Sequence, residues 1–205
     1  MKIIPAIALA ATFVGAASAA TVSISNNSFE SPGANGGFTF QTPTDWTNEG
    51  GSVFLEDITS VGFSLGTADG ADFLTLQDTG TVSQNLGVSY IAGNIYTLTL
   101  AITNRTGQAN TNSGIFALHD DNGELASFSV DTTAFTGDQV NNFNDYSFDY
   151  TATGAEVGNI TVVLSEENSS GRFHIDNVRL TAVPEPSSAA LLGLGGLAMI
   201  LIRRK

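Results

Sequence analysis

Apolar residues at every second position are the feature that most narrows what this chain can fold into. In Asn94–Ile102, Tyr96, Leu98, Leu100 and Ile102 share one parity, and Thr97 and Thr99 share the other. In Asp145–Tyr150, Tyr146, Phe148 and Tyr150 alternate with Asp145, Ser147 and Asp149, and Ile160, Val162 and Leu164 repeat the pattern. Successive side chains of an extended chain point to opposite faces, so this period predicts strands with one buried and one wet face. Between Thr21 and Ala182 no stretch of useful length carries the 3.6-residue period of a helix. Further strands are expected at Val22–Ser25, Ser52–Glu56, Phe73–Gln77, Thr81–Leu86, Gly114–His119, Glu124–Val130 and Arg172–Thr181. Asp121-Asn122-Gly123, between two of these, predicts a hairpin turn. About ten short strands with polar turns predict an all-β fold, an antiparallel β-sandwich in one domain of about 160 residues.

The charge balance limits the partners. Lys2, Arg203, Arg204 and Lys205 lie in the terminal segments, so the body keeps Arg105, Arg172 and Arg179 against nineteen of the chain's twenty carboxylates. Such a surface repels phosphate backbones, which excludes nucleic acid, and it repels anionic lipid headgroups while attracting divalent cations. The chain has no cysteine, so an exported domain must hold together by core burial, with or without a metal.

Both ends read as addresses. Met1–Ala19 has a basic start at Lys2, an apolar run Ile3–Val14 and the small residues Ala17-Ser18-Ala19, the pattern of a secretory signal peptide; cleavage after Ala20 fits equally well. At the other end Val183-Pro184-Glu185-Pro186 is stiff and extended, because proline fixes its own φ and restricts the residue before it. An apolar run, 187–202, and the basic end Arg203-Arg204-Lys205 follow. Sixteen helical residues rise about 24 Å at roughly 1.5 Å each, short of a hydrocarbon layer about 30 Å thick, and snorkelling arginines extend the span. The basic end stays cytoplasmic and the body lies outside. A plain C-terminal anchor has the same pattern.

Motif, apolar helix, basic cluster and terminal position together resemble the PEP-CTERM sorting signal. That resemblance implies a sorting tail over 183–205, a folded domain over 20–182, and an exosortase, a membrane protease-transpeptidase of Gram-negative bacteria that make exopolysaccharide. The tail is then inserted transiently in the inner membrane and removed near Pro-Glu-Pro, and the body is released or attached outside, at the cell surface or in the matrix.

The body resembles a second family. Asn26-Asn27-Ser28-Phe29-Glu30, Asp45-Trp46, the run from Ala68 to Gln77, Thr81-Val82-Ser83-Gln84-Asn85-Leu86, Tyr96-Thr97-Leu98 and Phe173-His174-Ile175-Asp176-Asn177-Val178 follow one another as in the galactose-binding-like jelly rolls, which include many carbohydrate-binding modules. Two parity breaks add to this. Val22 and Ile24 share a face that Phe29 does not, so Asn26–Ser28 must bend or bulge; Phe173 and Ile175 differ in parity from Val178 and Leu180, so the last strand must shift register at Asp176-Asn177. Each irregular point carries a carboxylate, Glu30 and Asp176. The resemblance implies a structural calcium shared by the first and last strands, with Glu30 and Asp176 as ligands and the turn Asp69-Gly70-Ala71-Asp72 as the third contributor. Calcium suits hard oxygen donors, whereas two distant histidines and no cysteine do not make a zinc site. The alternative is that these carboxylates cap turns in water.

Signatures of catalysis are absent from the sequence: no Gly-x-Ser-x-Gly elbow, no phosphate loop and no His-Glu-x-x-His. His119 and His174 read as strand residues with hydrogen-bond partners. The expectation is a non-catalytic surface or matrix protein associated with exopolysaccharide, with a lectin-like module holding a defined glycan site as the alternative. For that alternative the candidate stacking residues are Trp46, Tyr90, Tyr146 and Tyr150, each of which core packing also explains.

Overall fold

The computed structural model describes residues 18–34, 36–58, 68–104, 113–168 and 171–185. The signal peptide up to residue 17, Arg105, Pro186 and the apolar run 187–202 lie outside the described residues. Ten strands are present among those described: β1 Ala20–Val22, β2 Phe38–Thr39, β3 Thr47–Asp57, β4 Asp72–Asn85, β5 Asn94–Thr103, β6 Ser113–Asp120, β7 Gly123–Asp131, β8 Asn144–Thr151, β9 Thr161–Glu166 and β10 Phe173–Pro184. Every paired strand is antiparallel, and two three-residue 3-10 turns, Thr132–Ala134 and Gly137–Gln139, make up the helical content of the described residues.

The ladder runs β7-β6-β9-β4-β10-β5-β8, with β3 along β4, β2 along β3 and β1 along β10. It becomes a sandwich because β3 and β4 belong to both layers. The first half of β4 pairs with β10 through Leu74–Leu76, and its second half pairs with β9 through Thr81–Asn85. The crossing falls where Asp78 and Thr79 have φ of 54° and 60° and where β3 shifts register on either side of Gly50. Gly51 is required there: its φ is +66°, and a Cβ would overlap the backbone of Gly80. The sequence shows this crossing as a break between Phe73–Gln77 and Thr81–Leu86; the structure carries one strand through it.

The alternation becomes burial. Tyr96, Leu98, Leu100 and Ile102 of β5 are at most 2% exposed and meet Phe116, Leu118, Val162, Leu164, Leu74, Leu76 and Leu180 in a single core. Asp121 and Asn122 form the expected turn, with Asp120 Oδ1 accepting the Asn122 N–H at 2.7 Å.

Three differences from the sequence reading have physical causes. β1 ends at Val22 rather than Ser25, because the Gln84 side chain takes the place of a partner strand: its Oε1 accepts the Ser25 N–H at 2.8 Å and its Nε2 donates to the Ser25 carbonyl at 2.9 Å. β2 was not expected, being two residues in a glycine-rich stretch. β10 runs past Ala182 to Pro184, pairing Val183 with Ile95 and Pro184 with Asn94, so the sorting motif begins inside the sheet rather than after it. A proline at the terminal position of a strand removes no interior ladder bond.

Candidate functional site

Both parity breaks are real and they meet. Phe173, Ile175, Val178 and Leu180 are all at most 1% exposed, and β10 shifts register between Asp176 and Arg179 with Asn177 at φ 47°. Asn26 at φ 47° and Phe29 at φ 60° turn the first segment, burying Phe29, and the Val178 N–H donates to the Asn27 carbonyl at 2.8 Å. The two irregular points thereby brace each other.

The four expected ligands are drawn into this corner. Asp176 is fully buried; its Oδ2 accepts the Asp69 N–H at 3.0 Å and its Oδ1 the Asn177 N–H at 2.6 Å. Glu30 Oε1 accepts the N–H groups of Ala71 and Asp72, both at 2.8 Å, and Asp72 Oδ2 accepts that of Ala34 at 2.8 Å. A side chain on Gly70 would collide with Glu30, which fits the narrow turn at 69–72. Burial pushes the Asp176 carboxyl up to about 8 against the two N–H donors, and the negative charges of Asp69 and Glu30 raise it further. Burial also raises Asp72, with Glu30 and Asp57 adding to it. Among the described residues no three His, Asp or Glu side chains converge on one point as metal ligands would; the carboxylates are turned onto backbone N–H donors. The donor chemistry nonetheless fits a calcium ion: hard oxygens, like charges close together, and a buried carboxylate whose ionised form lacks solvation.

The aromatic candidates separate. Trp46 is 6% exposed in the core, 5.5 Å from the Phe29 ring, with its Nε1–H on the Asn26 carbonyl. Tyr90 is half-buried, edge-on to Tyr96 and Tyr150, and donates to the His119 carbonyl at 3.2 Å; burial pushes its hydroxyl well above the usual tyrosine range. Tyr150 donates to Glu156. All three make ring or hydrogen-bond contacts within the domain. Tyr146 stacks on Phe135 at 5.5 Å, accepts from Gln139 Nε2 at 2.8 Å and lines an open groove of about 230 Å³ beside Phe128.

The sequence reading missed a second place. Phe38 and Phe40 are 54% and 71% exposed and sit on the buried Phe54, with ring centroids 6.5 and 5.4 Å away. The Arg172 guanidinium lies 5.0 Å over Phe54 and donates to Glu56 Oε1 at 3.1 Å. Beneath the shelf, the Thr75 hydroxyl donates to Glu56 at 3.0 Å and meets His174 Nδ1 at 2.9 Å. Glu56, Thr75 and His174 are at most 1% exposed although they point away from the main core, so this side of the sheet is covered as well. His174 is thus a hydrogen-bonded strand residue, as expected. The alternation Phe38-Thr39-Phe40 is the available signal, three residues beside a glycine-rich stretch.

Comparison with known proteins agrees with this frame. A family model described as HpiC1 cyclase matches residues 20–181, and the PEP-CTERM protein-sorting motif matches residues 182–205. No curated protein matches the chain. A cyclase from Fischerella sp. TAU is similar in structure with a TM-score of 0.68 at 18% identity, covering 83% of this chain and 100% of that one. The N-terminal CBM22-1-CBM22-2 tandem domain of Xyn10C from Paenibacillus barcinonensis is similar with a TM-score of 0.51 at 15% identity, covering 84% of this chain and 48% of that one. The jelly-roll fold expected from the sequence is therefore present, and the tail is a PEP-CTERM sorting motif.

Proposed function

The chain belongs to the HpiC1 cyclase family through residues 20–181. We propose that it is an exported surface or matrix protein whose jelly roll associates with exopolysaccharide and does no catalysis. The PEP-CTERM motif indicates export to the envelope or surface of a Gram-negative bacterium and implies processing by an exosortase. The observation that carries the binding reading is the shelf of Phe38 and Phe40, two exposed rings beside the partly exposed Arg172 guanidinium, which the buried Glu56 carboxylate holds in place. Sugar rings present an apolar face and a hydroxyl edge, and such a shelf answers both. Carbohydrate-binding jelly-roll modules among the structural neighbours support the same reading by analogy of fold.

Calcium enters this proposal as a structural ion. Glu30, Asp69, Asp72 and Asp176 would hold it, and it would supply the positive charge that the buried Asp176 carboxylate needs in order to ionise. Held between the β10 bulge and the 26–30 turn, it would brace the fold rather than take part in chemistry.

Exported protein recovered from cells and passed over the secreted exopolysaccharide in calcium is expected to be retained. Retention should fall at least several-fold in the F38A/F40A double variant and stay unchanged in Y90F. No retention of the wild type contradicts the binding reading. A second reading, a small-molecule enzyme, draws on the family's description and on the His174–Thr75–Glu56 network, which could relay a proton. Thr75 and His174 are 0% and 1% exposed, which favours a structural network over a working one.

A further inference from the structure

Both terminal segments leave the sandwich at one end. β1 starts at Ala20, one residue after the expected signal peptide, and Ala20 pairs with Ala182 of β10. β10 ends at Pro184, and the Glu185 N–H still donates to the Gly93 carbonyl at 2.7 Å. The loops 86–93 and 152–160 and the β6–β7 turn are joined at this same end. The Leu86 N–H donates to the Ile160 carbonyl at 2.9 Å, the Ile160 N–H to that of Val88 at 2.8 Å, and the Asp121 N–H to that of Val157 at 2.9 Å.

Three of the six large apolar side chains exposed among the described residues, Val88, Ile91 and Val157, sit on these two loops; Ile91 is 62% exposed. Leu86–Ile95 carries no charged residue in an otherwise strongly acidic body. Two of the acids nearby are turned inward: Asp120 accepts the N–H groups of Val157 and Asn122, and Glu156 those of Thr153 and Gly154.

Chain length closes the argument. Glu185 is fastened to the 86–93 loop, and the apolar tail begins at Ser187. Two residues reach at most about 7 Å. With the tail in a bilayer, the Gly93 end of this loop therefore stands within about 10 Å of the start of the apolar segment.

We propose that this end of the sandwich is a membrane-contact surface, which settles Val88, Ile91 and Val157 into the headgroup layer of the bilayer that holds the tail. The proposal rests on the reading of the tail as membrane-inserted. The partner is an uncharged, zwitterionic surface, because the exposed Asp121 and the Glu185 carboxylate are repelled by anionic lipid. Attachment is by apolar burial, so salt leaves it unchanged.

The absence of cysteine permits single-site labelling of the full chain in phosphatidylcholine vesicles. Fluorophores are placed through I91C, F40C and L194C and challenged with spin-labelled lipid. Ile91 and Phe40 are both mostly exposed and lie outside the main core, so I91C and F40C leave that core in place. Phe40 rests on Phe54, in register with His174, ten residues of β10 below Pro184, on the order of 30 Å at about 3.3 Å per residue. Quenching by headgroup-labelled lipid should be several-fold stronger at position 91 than at position 40, in low and high salt alike, while acyl-labelled lipid quenches position 194. Position 194 quenched with position 91 no different from position 40 overturns the proposal alone. Position 194 left in water overturns the insertion reading and the proposal with it.

Discussion

Without calcium the protein is expected to lose stability as the pH rises from about 4 to about 8, and millimolar calcium should remove most of that loss. The cause is Asp176. Its carboxyl ordinarily titrates at 3.8 and is pushed up to about 8 by burial, with Asp69 and Glu30 adding to the shift. Between those values the folded state holds a proton that the unfolded chain has released. The contribution is complete below the unfolded value and is lost as pH climbs to the folded one, by up to about 1.4 kcal/mol per pH unit. Asp72 is shifted in the same direction by burial and contributes with the same sign. Glu156 is held down to about 2, by its bond from Tyr150 and by loop N–H groups acting against desolvation, so its contribution is lost only below this window. A calcium ion bound to the folded state alone adds about 2.7 kcal/mol at a hundred times its dissociation constant. D176N should lose the calcium response and, at pH 8 without metal, melt higher than the wild type, because an amide needs no counter-charge there. Thermal melts at three pH values with calcium or chelator read this out. A flat metal-free profile, or a calcium shift undiminished in D176N, contradicts the assignment.

R172A should destabilise the domain by about 3 kcal/mol, the scale for removing one partner of a buried ion pair. Glu56 is fully buried, and its carboxylate takes bonds from Arg172 Nη1 and the Thr75 hydroxyl. Removing the guanidinium also uncovers the face of Phe54. R172K restores charge but not the planar group over the ring, so it should recover only part of the loss. Urea denaturation measures both. A loss under about 1 kcal/mol, the worth of an exposed pair, would mean that Glu56 does not depend on Arg172.

The strands of this fold were legible because burial on one face leaves a period of two in the sequence. β5, β8 and β9 came through nearly to the residue, and the β10 bulge came from its parity break alone. The corner where Glu30 and Asp176 meet was legible for the same reason: a break in parity marks the register shift beside each carboxylate. The Glu56–Arg172–Thr75–His174 side was not. Its strands are buried on both faces, and Phe73-Leu74-Thr75-Leu76 shows no alternation between wet and dry. Which polar residue meets which depends on the β3–β4–β10 registers, which no local pattern encodes. The extension of β10 into the motif was hidden by its prolines, which read as a break in structure but occur where a strand ends.

The central claim is that a jelly roll is delivered outside the cell by a tail removed immediately beside the fold. Intact mass spectrometry of the protein recovered from outside the cell tests it most directly. An N-terminus at Ala20 or Thr21 is predicted, with a C-terminus at or just after Glu185, which is the last described residue and is fastened to the fold by its bond to Gly93. Protein found in the inner membrane with Arg203-Arg204-Lys205 intact would contradict it and make the tail a permanent anchor.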